Sequence, residues 1–144
     1  MATGKNYVKY YDSLNKKTVD WVNDAIKMAL FTSSLVIAQS ADQFFDVAPY
    51  TTNEVAGTGY TAGGQAIASK TNVASTLKYV LSSANPSWTT ATFTTAYGVL
   101  YDATPASNKP LIAYIDFGGS QTVTAGTFTI TVDSTNGLSY VTIS

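Results

Sequence analysis

Apolar and polar residues alternate along most of the second half of this chain. In TFTITVD (127–133), Thr127, Thr129 and Thr131 face one way and Phe128, Ile130 and Val132 the other. That two-residue period marks a half-buried strand. KPLIAYIDFG (109–118) puts Leu111, Ala113, Ile115 and Phe117 on one face, and TLKYVLSS (76–83) does the same with Leu77, Tyr79 and Leu81. ATFTTAYGVLYDAT (91–104) is rich in Thr and aromatics and is interrupted only by Gly98, and LSYVTIS (138–144) closes the chain. The clusters SSANPS, DATPASNKP, GGSQTVTAG and DSTNG read as the turns between these strands. Asn136-Gly137, set between two alternating runs, is the strongest hairpin signal.

The first half is less regular. Val19, Val22, Ile26, Ala29 and Leu30 fit a helical stripe, while Val22, Asp24, Ile26, Met28 and Leu30 also fit a period of two with one polar exception. The run AIKMALFT before Ser33-Ser34 favours a strand over 25–32, and residues 40–48 fit one helical turn capped by Ser40 and anchored by Phe44 and Phe45. Residues 1–18 are polar, carry four of the eight lysines, and are punctuated by Tyr7, Tyr10 and Tyr11. They predict an extended N-terminal arm with little order of its own. Short strands with regularly spaced turns predict a mainly β fold, an antiparallel β-sandwich or jelly-roll-like single domain over 19–144. No tandem repeat is evident.

Composition sharpens this picture. A chain of 144 residues that is 45% hydrophobic can bury a real core, and its 12% of charged residues is about half the usual share. The net charge of −1 provides no basic field for nucleic acid or an anionic membrane. There is no Cys and no His, and all eight basic residues are Lys. Thiol chemistry, the commonest general base at neutral pH and the planar phosphate fork are therefore all missing, which argues against an enzyme. The opening MATGKNYVKYYDSLNKK has no apolar core of a secretory leader, so a chain made soluble and intracellular, or released from a cell by another route, is expected. The longest apolar runs fall far short of a bilayer span.

The candidate chemistry then thins out. In TTNEVAGTGYTAGGQA (51–66), Gly57, Gly59, Gly63 and Gly64 suggest a phosphate loop. The third glycine is one residue late for a dinucleotide fingerprint, and Gln65 stands where a P-loop needs Lys. Glycines that permit positive φ in turns or a bulge explain the segment better. The nine acids show no calcium-loop spacing, no serine has a His partner, and no cofactor or metal is implied. Trp21 and Trp88, with Tyr97 and Tyr101, are candidates for a sugar-stacking surface, although core or interface is the commoner home for such residues. Thr-rich strands with few charged gatekeepers have edges that something must cover, which points to an assembly.

The residues also carry a resemblance. Ile26 to Ser34, the aromatic-acidic Phe44-Phe45-Asp46, and Asn53-Glu54-Val55-Ala56-Gly57-Thr58-Gly59-Tyr60-Thr61-Ala62-Gly63-Gly64 are followed by Pro86-Ser87-Trp88-Thr89. Then come Ala96-Tyr97-Gly98-Val99-Leu100-Tyr101 and Pro110 to Gly118. In this order, over roughly residues 25–132, the chain resembles a family of small virion structural proteins of tailed bacteriophages. The glycine segment is its most specific part, and residues 1–18 lie outside it. The resemblance implies a β protein of the phage particle with no catalytic residues. On it rests the expectation of a capsid decoration (cement) protein, made in the host cytoplasm and carried on the capsid surface. It would bind the major capsid protein at junctions between subunits and self-associate, trimers suiting three-fold positions. Tyr7, Tyr10, Tyr11 and Trp88 are the expected interface residues. A tail, neck or tail-tip component and a carbohydrate-binding β-sandwich are the rival expectations.

Overall fold

A computed structural model of the chain describes residues 2–142. Its elements are β1 (Lys5–Asn6), α1 (Val8–Asn15), β2 (Ile26–Phe31), β3 (Gln65–Ala66), β4 (Thr71–Ser75), β5 (Lys78–Ser82), β6 (Ser87–Asp102), β7 (Leu111–Thr129) and β8 (Ser139–Thr142). They form a five-stranded antiparallel sheet, β1-β7-β6-β2-β3, and a three-stranded antiparallel sheet, β4-β5-β8. The mainly β, two-sheet class expected from the alternation is the class that forms. One core cluster runs through both sheets, from Met28, Leu100 and Ile112 to Leu81.

β2 forms where AIKMALFT places it. Five of its six residues are buried, because β6 and β3 flank it and side chains cover both faces. A strand buried on both faces carries no clean alternation, which is why its periodicity alone did not separate strand from helix. Residues 40–48 do not form the expected helical turn. The turn lies slightly earlier, with the N–H groups of Ala41 and Asp42 donating to the Ala38 carbonyl. Its cap is the Asp42 carboxylate, which accepts from the Ala38 N–H at 2.8 Å, rather than Ser40.

The long hairpin of β6 and β7 dominates the five-stranded sheet. GGSQTVTAG, expected as a turn, lies inside β7, so 111–118 and 127–129 belong to one strand. The glycines absorb an irregularity instead of reversing the chain. Thr95 pairs with Gln121 and Tyr97 with Asp116, so Phe117–Ser120 oppose Ala96 alone. Gly118 (φ +76) and Gly119 (φ +144) take up the extra length in conformations that L side chains rarely adopt. A second irregularity follows at Thr124-Ala125, and from there the alternation holds past the end of β7: Thr127, Thr129 and Thr131 are exposed, while Phe128, Ile130 and Val132 turn inward.

Two further expectations change in three dimensions. Leu77 sits in the two-residue turn between β4 and β5 with φ +60 and is 62% exposed, and Tyr79 is also exposed, so of the three residues expected on one face only Leu81 is buried. The Asn136-Gly137 turn forms, closed by the Gly137 N–H on the Asp133 carbonyl at 2.8 Å. The strand that follows it, β8, pairs with β5 instead of folding back on β7.

The expected N-terminal arm is also different. β1 pairs with β7 at Tyr114 and Ala113, and α1 packs behind it. The Tyr7 N–H donates to the Ile112 carbonyl at 3.0 Å. Tyr7 is 0% exposed and Tyr10 3% exposed. Burying these rings anchors the segment, each large apolar side chain contributing about 1.5–3 kcal/mol. The spacing of Tyr7, Tyr10 and Leu14 (i, i+3, i+7) was the helical signal that the polar composition masked.

Candidate functional site

The glycine segment has a structural job. The Glu54 side chain accepts the Tyr60 hydroxyl proton at 2.5 Å and the Gly63 N–H at 2.5 Å on the same oxygen. The Tyr60 hydroxyl in turn accepts from the Leu30 N–H of β2 at 3.0 Å, and the Tyr101 hydroxyl of β6 donates to the Gly63 carbonyl at 2.7 Å. Burial pushes the Tyr60 phenol well above its usual range, and its bond to Glu54 adds to this, so it remains a donor. The loop lies against the backbone of the sheet. A Cβ on Gly64 (φ +72) would stand 1.9 Å from the Met28 carbonyl oxygen, and one on Gly59 (φ +78) would stand 2.9 Å from three atoms of β6. No phosphate cradle is built here: the loop covers an edge of β6, where the Thr92 N–H donates to the Thr58 carbonyl.

The acidic residues serve mostly as caps. Asp133 accepts from the N–H groups of Asn136 and Thr135, which hold its carboxyl below the usual range. Partial burial pushes the Asp46 carboxyl up, but the N–H groups of Lys109 and Asn108 together outweigh it and the net shift is downward. Asp102 differs. It is 0% exposed; its Oδ1 accepts from the Thr104 N–H at 2.8 Å, and its Oδ2 has no partner among the described residues. Burial raises its carboxyl, and nearby Asp24 adds to that. Among the described residues no three acids stand close enough to hold a metal ion.

The four expected interface residues separate. Tyr7, Tyr10 and Trp88 are core residues. The Tyr7 hydroxyl shares a hydrogen bond with that of Tyr50 at 2.9 Å, and Tyr50 donates to Asp42 at 2.7 Å. Trp88 packs against Phe128 with 4% exposure. Of the four, Tyr11 alone reaches the surface, 37% exposed. Amphipathic Tyr and Trp side chains are read equally well as core or interface, and only packing separates the two.

Two surfaces stand out. The first is the outer edge of β7. β1 covers only Ala113 and Tyr114, and among the described residues no strand pairs with that edge from Asp116 to Thr129. Residues 117–132 carry no charge. A groove of about 510 Å³ runs beside it, between Ala2-Thr3 and the segments Ile115–Phe117 and Phe128–Thr131. The second is a cleft of about 490 Å³ between α1 and the three-stranded sheet. Among the described residues no helix is long and apolar enough to cross a membrane. No family model, curated protein or solved structure matches the chain.

Proposed function

We propose that this chain is a structural protein of a bacteriophage particle, a capsid decoration protein that attaches to the outer surface between major-capsid subunits and stabilises the head. The observation that carries this reading is the bare edge of β7. A free monomer normally blunts such an edge with lysines, prolines or a bulge that turns it away. Here the edge carries the Phe117–Ser120 bulge, but residues 117–132 hold no charge and no proline and a groove lines them, which leaves the edge open to an extended segment of a neighbouring chain. The low overall charge and the likeness of Asn53–Gly64 to phage virion proteins support the particle as the assembly. An attachment of about 1,000 Å² would suffice for specificity, and many copies on one shell add through multivalency. Self-association around a symmetry axis, as a trimer at three-fold positions, fits the same scheme.

Cryo-electron microscopy of the source particle tests this. Density for the chain at capsomer junctions, with β7 against a capsid segment, is the expected result. Density confined to neck or tail would replace the decoration role by a tail role. A particle without the chain would remove the virion reading altogether.

A further inference from the structure

The cleft beside α1 has the chemistry of a binding site. Its floor is apolar and aromatic, made by Tyr10, Trp21, Val19 and Leu81, all buried. The indole is held in place by its Nε1, which donates to the Thr71 carbonyl at 3.0 Å. The rim is polar: Lys17, Asp20, Asn72 and Tyr79. The Asn72 amide donates to the Tyr79 hydroxyl at 2.6 Å, which leaves the Asn72 carbonyl and the Tyr79 proton for another partner.

The Tyr10 hydroxyl is the decisive group. Tyr10 is 3% exposed and lines the cleft, yet its hydroxyl has no hydrogen-bond partner among the described residues. The hydroxyl oxygen is not sealed off from solvent, so the open side it meets is the cleft that Tyr10 lines. Burial, reinforced by the nearby Tyr79 phenol, pushes the Tyr10 phenol upward, so it stays protonated and able to donate.

We infer that this cleft binds a neutral saccharide. One cation and one carboxylate on the rim, Lys17 and Asp20, cancel, so a phosphate or a polycation gains no net field there. A wholly apolar ligand would leave the Tyr10, Asn72 and Tyr79 polar groups without partners. A pyranose matches both halves of the site. Its C–H faces lie on the apolar floor, and its hydroxyls meet a phenol donor, an amide carbonyl and an ammonium at the rim. The volume falls within the roughly 300–1,000 Å³ of small-molecule sites. The inference stands apart from the virion proposal, since it uses a different surface and holds for a chain attached to any assembly or to none.

The test is a titration of the whole chain with cellotriose, maltotriose, chitotriose and a galactose trisaccharide, each up to about 10 mM. Backbone amide NMR reports the site. Saturable shifts centred on Trp21, Asn72 and Tyr79 are expected with at least one of the four. Tyr10→Phe keeps the ring and the packing, so it should fold unchanged while weakening that saccharide roughly three- to tenfold. Asn72→Ala, on an exposed strand, provides an independent loss of similar size. The inference fails if no trisaccharide shifts these amides, if the shifts centre elsewhere, or if both variants bind as tightly as the parent chain. A cleft that receives a side chain of a partner protein instead would appear as that first result.

Discussion

Replacing Glu54 by Ala removes the acceptor that locks the glycine loop. Two donors lose their partner at once, the Tyr60 hydroxyl and the Gly63 N–H, both held at 2.5 Å on one oxygen. A hydrogen bond to a charged group contributes about 1.5–3 kcal/mol when buried. Glu54 is only partly buried, and water can reach part of the vacated space. We therefore expect a loss of about 2–4 kcal/mol rather than the full sum. For a domain of this size that lowers Tm by roughly 4–16 °C. The buried Trp21 and Trp88 report unfolding in guanidinium by fluorescence. The double variant with Tyr60→Phe closes a cycle. Because both substitutions break the same bond, their effects should fall short of additive by about 1 kcal/mol or more. A Glu54→Ala chain within 0.5 kcal/mol of the parent, on the scale of an ordinary surface substitution, would refute the clasp.

Other substitutions probe other parts of the fold. Gly64→Ala forces a Cβ to within 1.9 Å of the Met28 carbonyl at positive φ, so it should cost more than about 3 kcal/mol or prevent folding, as read by circular dichroism. Asp102 has a raised pKa in the folded chain, so its share of stability is complete below the unfolded carboxylate value near 4 and is lost as pH rises through the folded value. Asp102→Asn should thus stabilise the protein by about 1–3 kcal/mol at pH 7 and by almost nothing at pH 3.5, and urea melts at the two pH values compare them. Tyr50→Phe breaks the chain from Tyr7 to Asp42, and a loss of about 1–2 kcal/mol is expected, with earlier amide exchange in residues 5–15.

Much of the fold was legible in the residues. Strict alternation in 127–133 and the apolar run at 25–32 specified strands and, at 127–132, which residues turn inward. The glycine segment was legible as turn chemistry because its spacing fits no phosphate loop, and the structure supplies the reason: Gly59 and Gly64 permit close approach to β6 and β2. GGSQTVTAG was misleading, since two adjacent glycines make a turn and a strand bulge with equal ease. Leu77 was misassigned because a two-residue turn shifts the face of everything near it.

Of the candidate cleft, the sequence marked Trp21 for sugar stacking and Tyr10 as an interface residue, but not the residues they meet. Tyr10, Trp21, Asn72 and Tyr79 are scattered over seventy positions and meet only because α1 docks beside the three-stranded sheet. The sequence by itself determined the class of fold, the absence of thiol and imidazole chemistry, and the uncharged character of 117–132, because periodicity and composition are local properties of a chain. Only the tertiary structure decided which tyrosines lie inside, which strand edge stays bare and which hydroxyl is left without a partner. A Tyr side chain suits core and surface alike, and its place is set by the side chains that distant segments bring to it.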